Sequence, residues 1–260
     1  MFRSAAGFGD SFYSVCILEN LLKRFPEIVI RTRHPSLFAH LPGVITDRWH
    51  KGNEDLAIHY NGRKSCADTN IWQDLLMGAG IDIITPFKIA WKAKERVHID
   101  KIAAMNTQKK KVCVVGSPHT PFARNDGYGL DLRPKWEIFD KIIRSFQDKL
   151  FFVQIGLKRE QYEIKGIDLD LVGKTSDCDA LDIATVADFF MGQNGYIIPL
   201  AESQGKPLFV VYSRKGLQSG DPLISNTKPE KILSKPTSGW AVDDEPIADI
   251  LAKAKGTFGL

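Results

Sequence analysis

Phe189-Phe190-Met191-Gly192-Gln193-Asn194-Gly195-Tyr196-Ile197-Ile198-Pro199-Leu200-Ala201-Glu202-Ser203-Gln204-Gly205-Lys206-Pro207-Leu208-Phe209-Val210-Val211-Tyr212 is the stretch that decides the fold. Phe189-Phe190 reads as the end of a buried strand, and Leu208 to Tyr212 as a second one. Between them a glycine turn leads into a helix that begins near Tyr196 and stops at Gly205-Lys206-Pro207. Strand, helix and strand with short connections make a βαβ unit, whose strands are parallel and whose crossover is right-handed.

The same grammar extends in both directions. Lys111 to Val115 is a buried strand that opens into a long loop, Gly116 to Arg133. Pro134 starts a helix with Ile138, Phe139, Ile142, Ile143 and Phe146 on its apolar face. Leu150 to Ile155 is a strand and Asp179 to Val186 a helix. Asp244 to Ala254 is a terminal helix, acidic first and basic last, as the helix dipole prefers. In the first half, Asp10 to Phe25 is a helix with Val15, Leu18, Leu22 and Phe25 at helical spacing, ended by Pro26. A weak first strand, Phe2 to Ala5, precedes it. Ile28 to Ile30, Val44-Ile45 and Leu56 to Ile58 are strands, Ser36 to His40 a short helix, and Asn70 to Met77 a helix stopped by Gly78-Ala79-Gly80. Lys88 to Lys111 is lysine-rich and carries no good strand, so a helix and linker are expected there, with the charges as a solvated surface. The expected organisation is a lobe at 1–95, a linker at 96–110, a second lobe at 111–242, and a terminal helix and tail at 243–260.

Composition sets outer bounds. The chain has 260 residues, 43% hydrophobic and 25% charged, with 21 Gly and 13 Pro, which excludes wholesale disorder and collagen-like order. No apolar run is long enough to span a bilayer, so no stable membrane insertion is expected. The start, Met1-Phe2-Arg3-Ser4, lacks a basic region followed by an apolar stretch, so a cytoplasmic location is expected. A net charge of +4 permits an anionic ligand without demanding one. Cys16, Cys66, Cys113 and Cys178 have no close pairing, which fits free thiols and argues against a zinc site.

Ligands of open α/β sheets bind beyond the carboxyl ends of the strands, and three segments there carry chemistry. In Gly7-Phe8-Gly9-Asp10-Ser11, glycines let the backbone approach a ligand, and Asp10 is either a helix cap or a general base. As a dinucleotide fingerprint it is weakened at Phe12, where the third glycine should stand. The second strand leads into Arg31-Thr32-Arg33, with no acid for a ribose, although an Arg there could meet a 2′-phosphate instead. In Gly116-Ser117-Pro118-His119-Thr120-Pro121-Phe122-Ala123-Arg124, hydroxyls, an imidazole and a guanidinium suit phosphate oxygens, with Arg124 able to bind bidentately. The alternative is a surface loop ordered by its prolines. The glycine turn before Tyr196 places helix N–H groups where a diphosphate would sit. Asp168-Leu169-Asp170 and Asp177-Cys178-Asp179 are read as surface or capping residues and not as metal pairs.

Together these segments resemble the heptosyltransferase-like glycosyltransferases, glycosyltransferase family nine. Gly9-Asp10 before a helix, Arg24-Phe25-Pro26-Glu27, Leu171-Val172-Gly173-Lys174-Thr175-Ser176, the turn Gly192 to Tyr196, Pro199-Leu200-Ala201 and Gly205-Lys206-Pro207 follow the family's order. Asn194 stands where the family usually has Asp, and Pro199 where it has His. The resemblance implies a GT-B-like α/β fold, two Rossmann-like doubly wound lobes facing a cleft. It implies inverting, metal-independent transfer from a nucleotide-diphosphate sugar, with no other cofactor. Carried over, Asp10 is the base. Arg124, Glu160, Asn194, Gly195 and Tyr196 meet the donor, with Ser117, His119 and Thr120 as phosphate-loop candidates. Gly9, Ser11 and Arg33 lie on the acceptor side. The implied acceptor is a saccharide of the lipopolysaccharide-core kind. A second acceptor class is duplex DNA with a hydroxymethylated base, as for phage glucosyl- and arabinosyltransferases. The basic set Arg31, Arg33, Arg63, Lys64, Lys88, Lys92, Lys94 and Arg96 keeps that class open. A non-catalytic binding module of the same shape and a Rossmann oxidoreductase are the further alternatives.

Overall fold

A computed structural model describes residues 2–3, 8–48, 56–57, 88–89, 91, 96–105, 108–115, 134–156, 164–193, 195–218 and 238–260. The chain divides into two compact units, Met1–Ala90 and Trp91–Leu260.

The first unit holds β1 (Phe2–Arg3), α1 (Phe8–Leu21), β2 (Ile28–Thr32), a 3-10 turn (Pro35–Phe38), β3 (Val44–Arg48) and β4 (Leu56–Ala57). Its sheet runs β3-β2-β1-β4, and every described pairing is parallel. The first helix is displaced from its expected span. It starts at Phe8, two residues before Asp10, and ends at Leu21 instead of Phe25. Beyond Leu21 the backbone tightens into a turn, with Arg24 and Phe25 N–H both donating to Leu21 O at 2.9 Å. Phe25 is consequently 52% exposed and contributes nothing to an apolar helix face. Residues 11–18 are all buried, so α1 is enclosed around its whole circumference. Residues 70–80 lie outside the described residues.

The second unit is larger. It contains α2 (Val97–Ala104), β5 (Lys110–Val115), α3 (Glu137–Phe146), β6 (Leu150–Gln154), β7 (Leu169–Asp170), α4 (Asp177–Val186), β8 (Phe189–Gln193), α5 (Ile197–Gln204), β9 (Leu208–Tyr212), α6 (Arg214–Gln218), β10 (Gly239–Val242) and α7 (Ile247–Phe258). The sheet order is β10-β9-β8-β5-β6-β7, again with parallel pairs only. That is the doubly wound nucleotide-binding order, and its direction reverses between β5 and β8.

The strands are buried on both faces, so alternate residues meet different helices. Val112, Val114, Phe152, Met191, Phe209 and Val211 join the core formed with α3 and α7. On the other face, Cys113 and Val153 meet Ile102 of α2 and Ile183 of α4. The stretch 96–110, expected as a linker, therefore contributes a packed helix to the second unit. The terminal helix starts at Ile247 instead of Asp244, because Pro246 takes the N-cap position. Phe258 near its end is fully buried, with its ring centroid 5.9 Å from Phe146, 5.6 Å from Phe189 and 6.3 Å from Phe209. Such edge-to-face clusters add to the area term of aromatic burial.

Asp244, expected to open that helix, and its neighbour Asp243 are engaged elsewhere. Asp243 accepts N–H bonds from Arg214 at 2.9 Å and Lys135 at 3.3 Å, joining the starts of α6 and α3 to the end of β10. Asp244 receives the Arg214 guanidinium at 2.9–3.1 Å, and that bond holds its carboxyl below the usual range. No described helix is long and apolar enough to cross a membrane.

Candidate functional site

Strand order places side by side the ends of two strands that lead toward sequence-derived segments. β5 and β8 are neighbours at the switch point, and Val115 pairs with Gly192. The chain leaving β5 at residue 116 and the turn leaving β8 after Gln193 therefore emerge from adjacent positions at the carboxyl edge. That is where such sheets hold ligands, because helix N-termini and strand ends leave unpaired main-chain groups there.

Gly192 belongs to β8 and not to the turn, as its place in the glycine motif suggested. The reason is space. A Cβ at Gly192 would stand 2.6 Å from Val115 O and 3.0 Å from Ile197 Cγ2. Glycine is required there so that β8 can lie against β5 and let α5 start at once. Gly195 is different: it is exposed, and a Cβ on it would meet nothing within 4 Å. Packing does not explain that glycine.

Tyr196 is half-buried at the N-cap of α5, in helical geometry and without a side-chain cap. Ile198 N–H donates to Gly195 O and Leu200 N–H to Tyr196 O, both at 3.1 Å. Pro199 has no N–H. At these three positions, therefore, no main-chain N–H is on offer to a ligand. The helix-terminus cradle expected for a diphosphate is smaller than the motif suggested. Asn194, Ser117, His119, Thr120, Arg124 and Glu160 lie outside the described residues.

In the first unit, Gly9 and Asp10 fall in the first turn of α1, following β1 at that sheet's own switch point between β1 and β4. An acidic side chain in a first helical turn is favoured by the helix dipole, so the backbone tolerates Asp10 at no cost. Its side chain lies outside the described residues. Ser11 is fully buried, a position that packs within the protein instead of meeting an acceptor. Arg33 is exposed just after β2. Of the basic set considered for a duplex, Arg31 is paired with Asp47 across β2 and β3 at 3.2 Å. Arg96 is paired with Asp100 at 3.3 Å. The first pair is part-buried on the Arg31 side, whereas the second is exposed to solvent.

The Gly205-Lys206-Pro207 motif has a structural explanation. Gly205 takes the left-handed conformation (φ 63°) that closes α5, with its N–H bonded back into the helix. Lys206 Nζ reaches the end of α4, donating to Ala184 O at 2.9 Å, Thr185 O at 2.7 Å and Ala187 O at 2.5 Å. It neutralises the negative end of that helix. Burial draws the Lys206 pKa down, while Asp188 and Cys113 act in the opposite direction. Pro207 O accepts the Phe190 N–H at 2.9 Å.

The acidic pairs are likewise engaged in holding backbone. Asp168 accepts the Phe152 N–H at 2.8 Å, and Asp170 the Val172 N–H at 2.9 Å. Ser176 and Asp179 form a reciprocal capping box at the start of α4. Among the described residues, no group of three His, Cys, Asp or Glu side chains is placed to hold a metal.

Three solved structures share this architecture. A family 9 glycosyl transferase from Veillonella parvula DSM 2008 matches with a TM-score of 0.64 and 12% identity, over 99% of this chain and 96% of that one. The ADP-heptose LPS heptosyltransferase II of E. coli matches with a TM-score of 0.56 and 13% identity, over 99% of this chain and 97% of that one. TibC from enterotoxigenic E. coli, a dodecameric iron-containing heptosyltransferase solved with ADP-D-β-D-heptose, matches with a TM-score of 0.50 and 15% identity, over 81% of this chain and 57% of that one. No family model and no curated protein sequence matches the chain. At these identities the likeness establishes the fold: parallel α/β units of the GT-B kind found in heptosyltransferases.

Proposed function

We propose that this chain is a glycosyltransferase that moves a sugar from a nucleotide-diphosphate donor to an acceptor hydroxyl, with inversion at the anomeric carbon. The observation that supports the reading is the Val115–Gly192 register, which makes β5 and β8 neighbours at the sheet's switch point. The ADP-heptose held by TibC, which has the same fold, supports that donor class. The acceptor is a saccharide in this reading. The pairing of the part-buried Arg31 with Asp47 makes that charge less available to a duplex.

In this mechanism the Asp10 carboxylate takes the proton of the acceptor hydroxyl. The hydroxyl oxygen bonds to the anomeric carbon as the bond from that carbon to the phosphate oxygen breaks. The nucleoside diphosphate leaves with the electron pair. Arg124, Asn194 and the main chain at Gly195–Tyr196 meet its negative charge, with Ser117, His119 and Thr120 on the phosphate oxygens and Glu160 on the ribose. Gly9 and Arg33 stand on the acceptor side. Side-chain cations and a helix terminus supply the positive charge, so the mechanism needs no metal and no further cofactor.

A thermal-shift screen of nucleoside diphosphates and nucleotide sugars tests the reading. A true donor at 100 times its Kd stabilises the protein by about 2.7 kcal/mol. Transfer from that donor should persist in EDTA. No shift with any nucleoside diphosphate defeats the donor assignment, and binding without transfer to any acceptor supports a binding module instead. Gly195→Ala sharpens the test. Because space is open at Gly195, the variant should melt within about 0.5 kcal/mol of wild type. It should nevertheless bind the nucleoside diphosphate roughly tenfold more weakly, as the new methyl stands where the phosphates approach. Unchanged affinity by calorimetry would move the phosphates elsewhere.

A further inference from the structure

The start of α3 has no cap of its own. Its N-cap residue, Trp136, lies in helical geometry and makes no side-chain cap bond, and Pro134 just before it has no N–H. The group that meets this start comes from 108 residues further along the chain. Asp243 Oδ2 accepts the N–H of Lys135, next to the N-cap, at 3.3 Å. The other oxygen, Oδ1, accepts the N–H of Arg214, the first residue of α6, at 2.9 Å. Asp243 is itself fixed. It follows β10 directly, and its own N–H donates to the oxygen of Tyr212, the end of β9, at 2.8 Å.

One half-buried carboxylate thus joins two strand ends to two helix starts at the carboxyl edge of the second sheet. The dipole of α3 favours a negative charge in that place. Asp244 beside it has a different task. It binds the Arg214 guanidinium at 2.9–3.1 Å, an exposed ion pair between side chains.

The chain of 116–133, which carries Ser117, His119, Thr120 and Arg124, leaves β5 after Val115 and rejoins the described fold at Pro134. Its first end is set by the pairing of Val115 with Gly192. Its second end belongs to no strand, and Asp243 holds it through the Lys135 N–H. We infer that Asp243 is a positioning residue for the phosphate side of the donor subsite, acting through Lys135 and not by touching substrate. The inference rests on the proposed donor reading. A segment fixed at both ends gives up less freedom when it closes on an anion. Releasing one end therefore weakens binding and leaves the chemical step alone.

Calorimetry on the full chain with ADP, GDP, UDP and CDP, continued with the tightest of the four, tests it. Asp243→Ala should bind about tenfold more weakly than wild type, and Asp243→Asn, which keeps one carbonyl oxygen, about threefold. Asp244→Ala removes the exposed ion pair alone and should bind as wild type does. Sugar transfer should show a raised KM for the nucleotide sugar in both Asp243 variants with kcat unchanged, since the proposed base belongs to the first unit. Circular dichroism checks folding, and if Asp243→Ala fails to fold, Asp243→Asn carries the comparison. Wild-type affinity in the folded Asp243 variants overturns the inference even where their Tm falls, because a purely structural bond lowers stability and spares the folded site. Equal weakening in Asp244→Ala also overturns it, by tracing the effect to charge at this edge. A wild type that binds none of the four nucleotides defeats the donor reading and this inference with it, a result seen without any variant.

Discussion

Replacing Asp10 with Asn is expected to lower kcat for sugar transfer by about 10²–10⁴-fold, the range that a positioned general base contributes. Donor affinity should be unchanged, because the donor-side segments belong to the other unit. Stability should also hold. Asn keeps the shape of the side chain and, in the first turn of α1, forfeits only a dipole interaction of about 0.3–1 kcal/mol. Nucleoside diphosphate release, measured with donor and acceptor both saturating, reads the effect. Full turnover in the variant would remove Asp10 from the chemistry.

Lys206→Met should produce the largest loss of stability. The change preserves the aliphatic stem and deletes three bonds to the carbonyls that end α4. Bonds to a charged donor contribute about 1.5–3 kcal/mol apiece when counted singly, but three on one ammonium are not additive. We expect a net cost of about 3 kcal/mol, or roughly 6–12 °C in the Tm of a unit this size. Thermal unfolding followed by circular dichroism measures it. A shift under 2 °C, within the scatter of surface substitutions, would show that water replaces the ammonium at no cost. The affinity of the folded variant for nucleoside diphosphate should match wild type, since Lys206 points into the scaffold.

These two residues show how unevenly the sequence discloses its roles. Asp10 is legible as a candidate because its mark is local, an acid after glycine at the start of a buried helix. Lys206 also stands in a motif, yet its task depends on carbonyls about 20 residues earlier. The glycines divide in the same way. Gly192 and Gly195 look alike in the sequence, but only the approach of Val115 O shows that one is required for packing and the other is not.

Elements were recoverable where burial marks the sequence, by continuous apolar runs in the strands and by a helical period in the helices. The apolar runs 111–115, 150–154 and 208–212 are strands buried on both faces, and Ile138 to Phe146 marks one helix face. β7 and β10 were not foreseen. β7 has two residues, and β10, Gly239-Trp240-Ala241-Val242, has no long apolar run and becomes a strand only by pairing with β9.

The amino-acid order alone made the alternating βαβ units legible, since short continuous apolar runs mark strands buried on both faces and period-3.6 burial marks helices. It also determined which residue types stand at the strand ends. Tertiary structure alone decided that β5 neighbours β8, that Gly192 has no room for a side chain, and that Asp243 finds Arg214 and Lys135. Each of these depends on contacts between groups far apart in the chain, whose cost in chain entropy is met only when the whole sheet forms.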